Sequence, residues 1–139
     1  MEIIPAAQYF GLGVFPWSPL GRSVLSGQYR EKIPHGSRAS SDYLDWFVQP
    51  YLTNQSRGIV EAVVCAADGL DLTPAQVALM WVRDAPAVTS PLLGCHTRAQ
   101  LAEMLQIADK TLPDPIVRAL DDVSGGTNLG RRVEQAAAV

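Results

Sequence analysis

The chain has 139 residues, of which 47% are hydrophobic and 18% charged, a composition that excludes disorder, collagen and low complexity. Eleven basic residues against fourteen acidic ones leave a net charge of −3, with no basic cluster of the kind that binds nucleic acid. The length supports one domain with a real hydrophobic core.

The opening MEIIPAAQYFGLGVFPW lacks the basic start and long apolar run of a signal peptide. No apolar run approaches the ~18 residues of a membrane span, so no membrane partner is expected. Cys65 and Cys95 are expected as free thiols in a reducing, cytoplasmic compartment. His35 and His96 with two separated cysteines do not form metal-ligand spacing, so no metal is expected.

Residues 13–17 are apolar on both faces and read as a short buried strand that ends at Pro16, where the ladder donor is lost. Residues 18–21 then form a turn at its C-terminal end. Residues 21–56 lack strong periodicity, and a stretch that long is usually a functional or mobile loop. Tyr43, Leu44, Trp46, Phe47 and Val48 interrupt it and suggest a short helix pressing an aromatic edge onto the body.

Residues 57–69 carry apolar positions at 59, 60, 63, 64 and 67, a helical stripe, with Gly69 as its stop. Thr73 and Pro74 give an N-cap followed by Pro at the first helical position, and residues 84–86 end that helix. Residues 87–94 read as a second buried strand. Thr97 caps a further helix that places Leu101, Met104 and Leu105 on one face. A last helix starts within residues 112–116 and ends near 124–126. Asp121 and Asp122 on it read as solvated surface, and residues 125–139 as a flexible tail.

Two strands joined by a helical crossover imply a parallel pair and an α/β protein. Two strands alone leave unpaired edges, so these segments look like part of a larger sheet. Ligands in α/β folds gather at the C-terminal ends of strands. Two turns lie there, residues 17–22 and 94–98, and the second runs into a helix N-terminus, whose unpaired amides suit a phosphate. Each residue also has a plainer reading: Trp17 as core, His96 as a turn residue, Arg98 as solvated surface. P-loop, nucleophile-elbow and zinc-protease motifs are absent, and Gly11 and Gly13 lack the third glycine of a dinucleotide fingerprint.

Residues 14–22 and 25–29, the run Leu72-Thr-Pro-Ala-Gln-Val-Ala-Leu-Met-Trp-Val82, and Ser90-Pro-Leu-Leu-Gly-Cys-His-Thr-Arg-Ala-Gln-Leu101 together resemble the C-terminal portion of the aldo-keto reductases. The first resembles the family's seventh strand and loop, the second its seventh helix, the third its eighth strand and cofactor loop. Order and spacing agree over residues 1–124. The resemblance implies one partial domain there: a C-terminal fragment of a (β/α)8 TIM barrel, with two parallel strands and about four to five helices. A whole barrel needs at least about 200 residues.

The resemblance further implies NADP(H) as cofactor and carbonyl or aldehyde reduction by hydride transfer. By that likeness Trp17 stacks on the nicotinamide. Ser18, Pro19, Leu20 and Gly21 line the pyrophosphate, and Arg22 pairs with it. Gly94, Cys95, His96 and Gln100 surround the adenosine 2′-phosphate and ribose, and Glu103 approaches adenine. Residues 21–40 form the loop over the cofactor. His96 departs from the Arg, Lys or Ser seen in similar sequences, which weakens the preference for NADP over NAD, and Arg98 is a candidate to compensate.

The family's Asp, Tyr, Lys and His tetrad has no counterpart here, so no catalytic residue is assigned and the chain is read as incomplete for catalysis alone. Its implied partners are NADPH and either a chain supplying the missing strands or a second copy of itself. The alternative is a non-catalytic remnant that self-associates or binds protein.

Overall fold

The computed structural model describes residues 3–125. Its α-helices are α1 Ile3–Tyr9, α2 Asp45–Val48, α3 Asn54–Leu70, α4 Pro74–Arg83, α5 Arg98–Leu105 and α6 Asp114–Val123. Short 3-10 turns occupy Arg38–Ser40 and Gln49–Tyr51. The expected helices are present, and α1 is an addition to them. The expected tail lies, from residue 126 on, outside the described residues.

The main core lies where α3 meets α4 and α6, with α5 against α4. Thr73 and Gln76 cap each other's backbone at the start of α4, and Pro74 fills the first position, where no donor is needed. That start aims every residue from Gln76 to Met80 into the interior. Val77 and Met80 are wholly buried, which stabilises the fold by about 1.5–3 kcal/mol each. Helix α3 begins at Thr53, whose hydroxyl accepts from the Ser56 amide. It runs through Gly69, the expected stop, and ends at Asp71, which takes the left-handed conformation at φ 53°. Asp tolerates that conformation because its short polar side chain bonds locally.

Two further expectations are corrected. Asp121 is only 3% exposed and accepts a 2.8 Å hydrogen bond from Trp81 Nε1, so it belongs to the seam between α6 and α4 and not to solvated surface. On α5, Met104 is buried but Leu101 and Leu105 are exposed. Among the described helices α5 packs chiefly on α4, and Leu101 and Leu105 stay uncovered.

The two expected strands meet in parallel, but as isolated bridges, Val14 with Val88 and Trp17 with Leu92, and not as a ladder. The Thr89 amide donates to the Val14 carbonyl at 2.8 Å, and the Leu92 amide to the Pro16 carbonyl at 2.9 Å. Pro16 and Pro91 have no N–H to return, which interrupts the pairing between the bridges. The bridged positions are three apart in sequence on one segment and four apart on the other, so the two segments are out of step between the bridges. Gly13 permits the close approach, since a Cβ there would stand 3.0 Å from Thr89 Oγ1. Nor is either segment buried as expected: Phe15 is 56% exposed, and Leu92 and Leu93 are exposed as well. Among the described residues no third extended segment flanks them.

The long loop is anchored and not free. Val24, Ala39, Val48 and Val60 form a second apolar cluster beneath it. Arg30 grips Glu61 on α3 through two bonds of 2.8 and 2.6 Å, and that hydrogen bonding holds the exposed Glu61 carboxyl below its ordinary value.

Candidate functional site

The loop leaving the first bridged segment turns tightly. Ser18, Gly21, Arg22 and Ser23 all have positive φ, between 52° and 71°. The turn closes through the Gly21 amide to Ser18 O at 2.9 Å and the Leu25 amide to Leu20 O at 3.1 Å. A non-glycine residue held there costs about 1–3 kcal/mol, and such strain clusters at ligand clamps. Trp17, at the head of the turn, is 65% exposed, which sets aside its plainer reading as core.

Trp17, Ser18, Pro19, Leu20 and Arg22 line a groove of about 550 Å³, together with Leu44 and Phe47 of the aromatic segment and Leu92 to Gly94. A second groove of about 500 Å³ continues from it. Leu20, Ser23, Arg38, Leu93 and Gly94 belong to both. The second groove runs past Cys95 and His96 to Gln100 and Glu103 at α5. The result is one extended cleft with an aromatic plane at one end and a helix N-terminus at the other.

The α5 terminus is built by a second capping box. Thr97 Oγ1 accepts from the Gln100 amide at 3.2 Å. Gln100 Oε1 accepts from the His96 amide at 2.9 Å and the Thr97 amide at 3.3 Å. Three amides are thereby used internally, which leaves those of Arg98 and Ala99 without an intrahelical partner. Glu103 is engaged too: its carboxylate accepts from Thr73 Oγ1 at 2.9 Å, and its carbonyl from Gln76 Nε2 at 2.8 Å. Its first structural duty is to join α5 to α4.

The cleft thus gathers the residues singled out from sequence, except Gly21 and Arg98, which line neither groove. Gly21 sits behind the turn against Leu25. Arg22 lines the first groove, but its guanidinium lies over the Phe47 ring, 3.3 Å from the centroid.

Sequence reasoning missed Ser37 and Arg38. Arg38 is the one cation lining both grooves among the described residues, and it stands where they join. Ser37 Oγ is buried on the second groove and has no hydrogen-bond partner among the described residues. The run Pro34-His-Gly-Ser-Arg38 lies within the segment 21–40 that the resemblance set over the cofactor, but neither Ser37 nor Arg38 was singled out from it. No tyrosine or lysine lines either groove.

A family model described as the aldo/keto reductase family matches residues 1–124. The chain belongs to the aldo/keto reductase family. Similar relatives include a putative voltage-gated potassium channel subunit beta of Schizosaccharomyces pombe, 29% identical over 133 residues, covering 92% of this chain and 38% of the relative. An uncharacterized oxidoreductase of Bacillus subtilis, YrpG, is 32% identical over 126 residues, covering 91% and 36%. The structure of a glycerol dehydrogenase from Gluconobacter oxydans superposes with a TM-score of 0.68 at 20% identity, over 88% of this chain and 37% of that one. That likeness supports a partial (β/α)8 fold for this aldo/keto reductase chain. The chain spans less than two-fifths of the length of each of these relatives.

Proposed function

We propose that this chain supplies the NADP(H)-binding floor of a carbonyl-reducing oxidoreductase and does not complete the catalytic site by itself. The observation that carries the reading is the continuity of the two grooves, from an exposed indole to the capped start of α5. An extended dinucleotide needs such a cleft, with an aromatic plane at one end and anion-binding groups further along. The orphaned hydroxyl of Ser37 and the cation of Arg38 fit a polar, phosphate-bearing guest.

In this reading Trp17 stacks on the nicotinamide, and residues 18–20 line the pyrophosphate with their backbone, while Gly21 behind them only shapes the turn. Gly94, Cys95, His96, Gln100 and Arg38 surround the adenosine end, and Glu103 braces α5 beneath it. Arg98, outside the cleft, contributes only field, so preference for the 2′-phosphate rests on Arg38. Bound there, the cofactor supplies a hydride for a carbonyl carbon. The accompanying proton must come from a residue that neither groove contains. The free thiols of Cys65 and Cys95 accord with a cytoplasmic setting.

The test is a titration of the purified chain with NADPH and NADH, followed by tryptophan fluorescence. Saturable quenching at micromolar NADPH, weaker with NADH and lost in Trp17→Ala, is the expected result. No quenching from a demonstrably folded sample overturns the reading.

A second reading is favoured by the apolar surface around the bridged segments, where Phe10, Leu12, Phe15, Trp17 and Leu92 are all exposed. On that reading the chain is a non-catalytic remnant that self-associates or binds protein through this face.

A further inference from the structure

Arg22 occupies an unusual position. Its backbone is left-handed, at φ 59°. Its guanidinium lies 3.3 Å from the Phe47 ring centroid, 4.7 Å from that of Tyr51 and 5.9 Å from that of Trp17. Its Nη1 also donates to the Phe47 carbonyl. A planar guanidinium both stacks on aromatic faces and donates in plane, which a lysine ammonium does not reproduce.

The segment it grips needs holding. Helix α2 is four residues long, far below the length at which a helix stands alone. Val48 is buried, but Tyr43, Leu44 and Trp46 are exposed. Yet Leu44 and Phe47 line the first groove with Trp17, and the Phe47 ring is tilted against the indole at 5.9 Å between centroids. A strained backbone persists only where its surroundings over-determine it, and here the surroundings are these rings.

We propose that Arg22 is a latch that fastens the aromatic segment 43–51 as the wall of the Trp17 end of the cleft, acting as a stacking and hydrogen-bonding plane and not as a phosphate ligand. Arg22 is thus a positioning residue. Its effect on cofactor binding rests on the reading given above, whereas the fastening itself does not.

The experiment uses the full chain as wild type, Arg22→Lys, Arg22→Ala, Phe47→Leu and the Arg22→Ala/Phe47→Leu double variant, each checked for folding by far-UV circular dichroism. Limited chymotrypsin digestion without ligand reads cleavage after Tyr43 and Trp46. NADPH titrations at low and high salt read affinity. A latch predicts several-fold faster cleavage in every single variant and no further acceleration in the double variant. It also predicts that Lys and Ala at position 22 lose affinity equally, by about three- to tenfold, with the salt dependence of wild type retained.

Unchanged cleavage overturns the latch. So does an Arg22→Lys variant that keeps its affinity while Arg22→Ala loses both affinity and salt dependence, since that result assigns Arg22 to a phosphate. Should Arg22→Ala fail to fold, Arg22→Lys and Phe47→Leu decide the same question. A wild type that binds no NADPH while the cleavage pattern holds sinks the cofactor reading and leaves the latch standing.

Discussion

At the scale of single residues, Gln100 separates helix building from ligand binding. Its Oε1 serves the His96 and Thr97 amides while the side chain lines the second groove. Gln100→Glu keeps an acceptor oxygen for both amides and adds a charge favoured at a helix N-terminus. We expect its unfolding free energy to stay within about 0.5 kcal/mol of wild type. A carboxylate beside a 2′-phosphate repels it, so NADPH affinity should fall about tenfold while NADH affinity changes little. Parallel titrations with the two cofactors check this, and equal losses would move the 2′-phosphate away from α5. Thr97 was legible as a cap from its place before the helix, whereas Gln100 was singled out only by the family resemblance, and its capping role emerged from the structure. Ser37 and Arg38 were not legible, because their relation to the cleft is made by the fold of the intervening loop.

At the scale of elements, helix starts were the best-read feature of the sequence. Thr73 with Pro74 and Gln76, and Thr97 with Gln100, satisfy orphan amides within one turn, and no distant partner is needed. The stop at Asp71 was missed because Gly69 is the usual terminator and a left-handed Asp is the exception. The role of Asp121 was missed for the opposite reason, since its donor on Trp81 lies forty residues away in sequence. That bond makes a sharp prediction for the seam between α4 and α6. Trp81→Phe keeps the ring but removes a donor from a buried carboxylate, and should cost about 1–3 kcal/mol in urea unfolding. Asp121→Asn retains an acceptor and should cost less. A Trp81→Phe protein as stable as wild type would mean that this one bond adds nothing net to the seam.

At the scale of the whole molecule, the described helices and the described bridged segments differ in how far they are covered. The helices bury a continuous apolar cluster, whereas the bridged segments show Phe15, Trp17 and Leu92 to solvent. Apolar runs in residues 13–17 and 87–94 were legible as strand material. How little of them would pair was not, because pairing depends on neighbours that local pattern does not describe. The uncovered face predicts association: sedimentation velocity on a dilution series should show mass rising with concentration. The double substitution Phe15→Glu/Leu92→Glu should suppress it. A concentration-independent monomer of the unsubstituted chain would count against the second functional reading.

Gln76 has a wider consequence. Buried on α4, its amide nitrogen donates to the Glu103 carbonyl at 2.8 Å and to Gln106 Oε1 at 3.3 Å, while its oxygen accepts from the Thr73 amide at 2.9 Å. One side chain therefore ties the α5 wall of the cleft to the same cooperative unit as the core, so that wall opens only when the core does. The opposite end is held differently, by the buried Val48 and by the Arg22 bond to the Phe47 carbonyl, on a helix of only four residues. On the proposed cofactor reading, the entropy cost of ordering a dinucleotide would fall mainly on that shorter end.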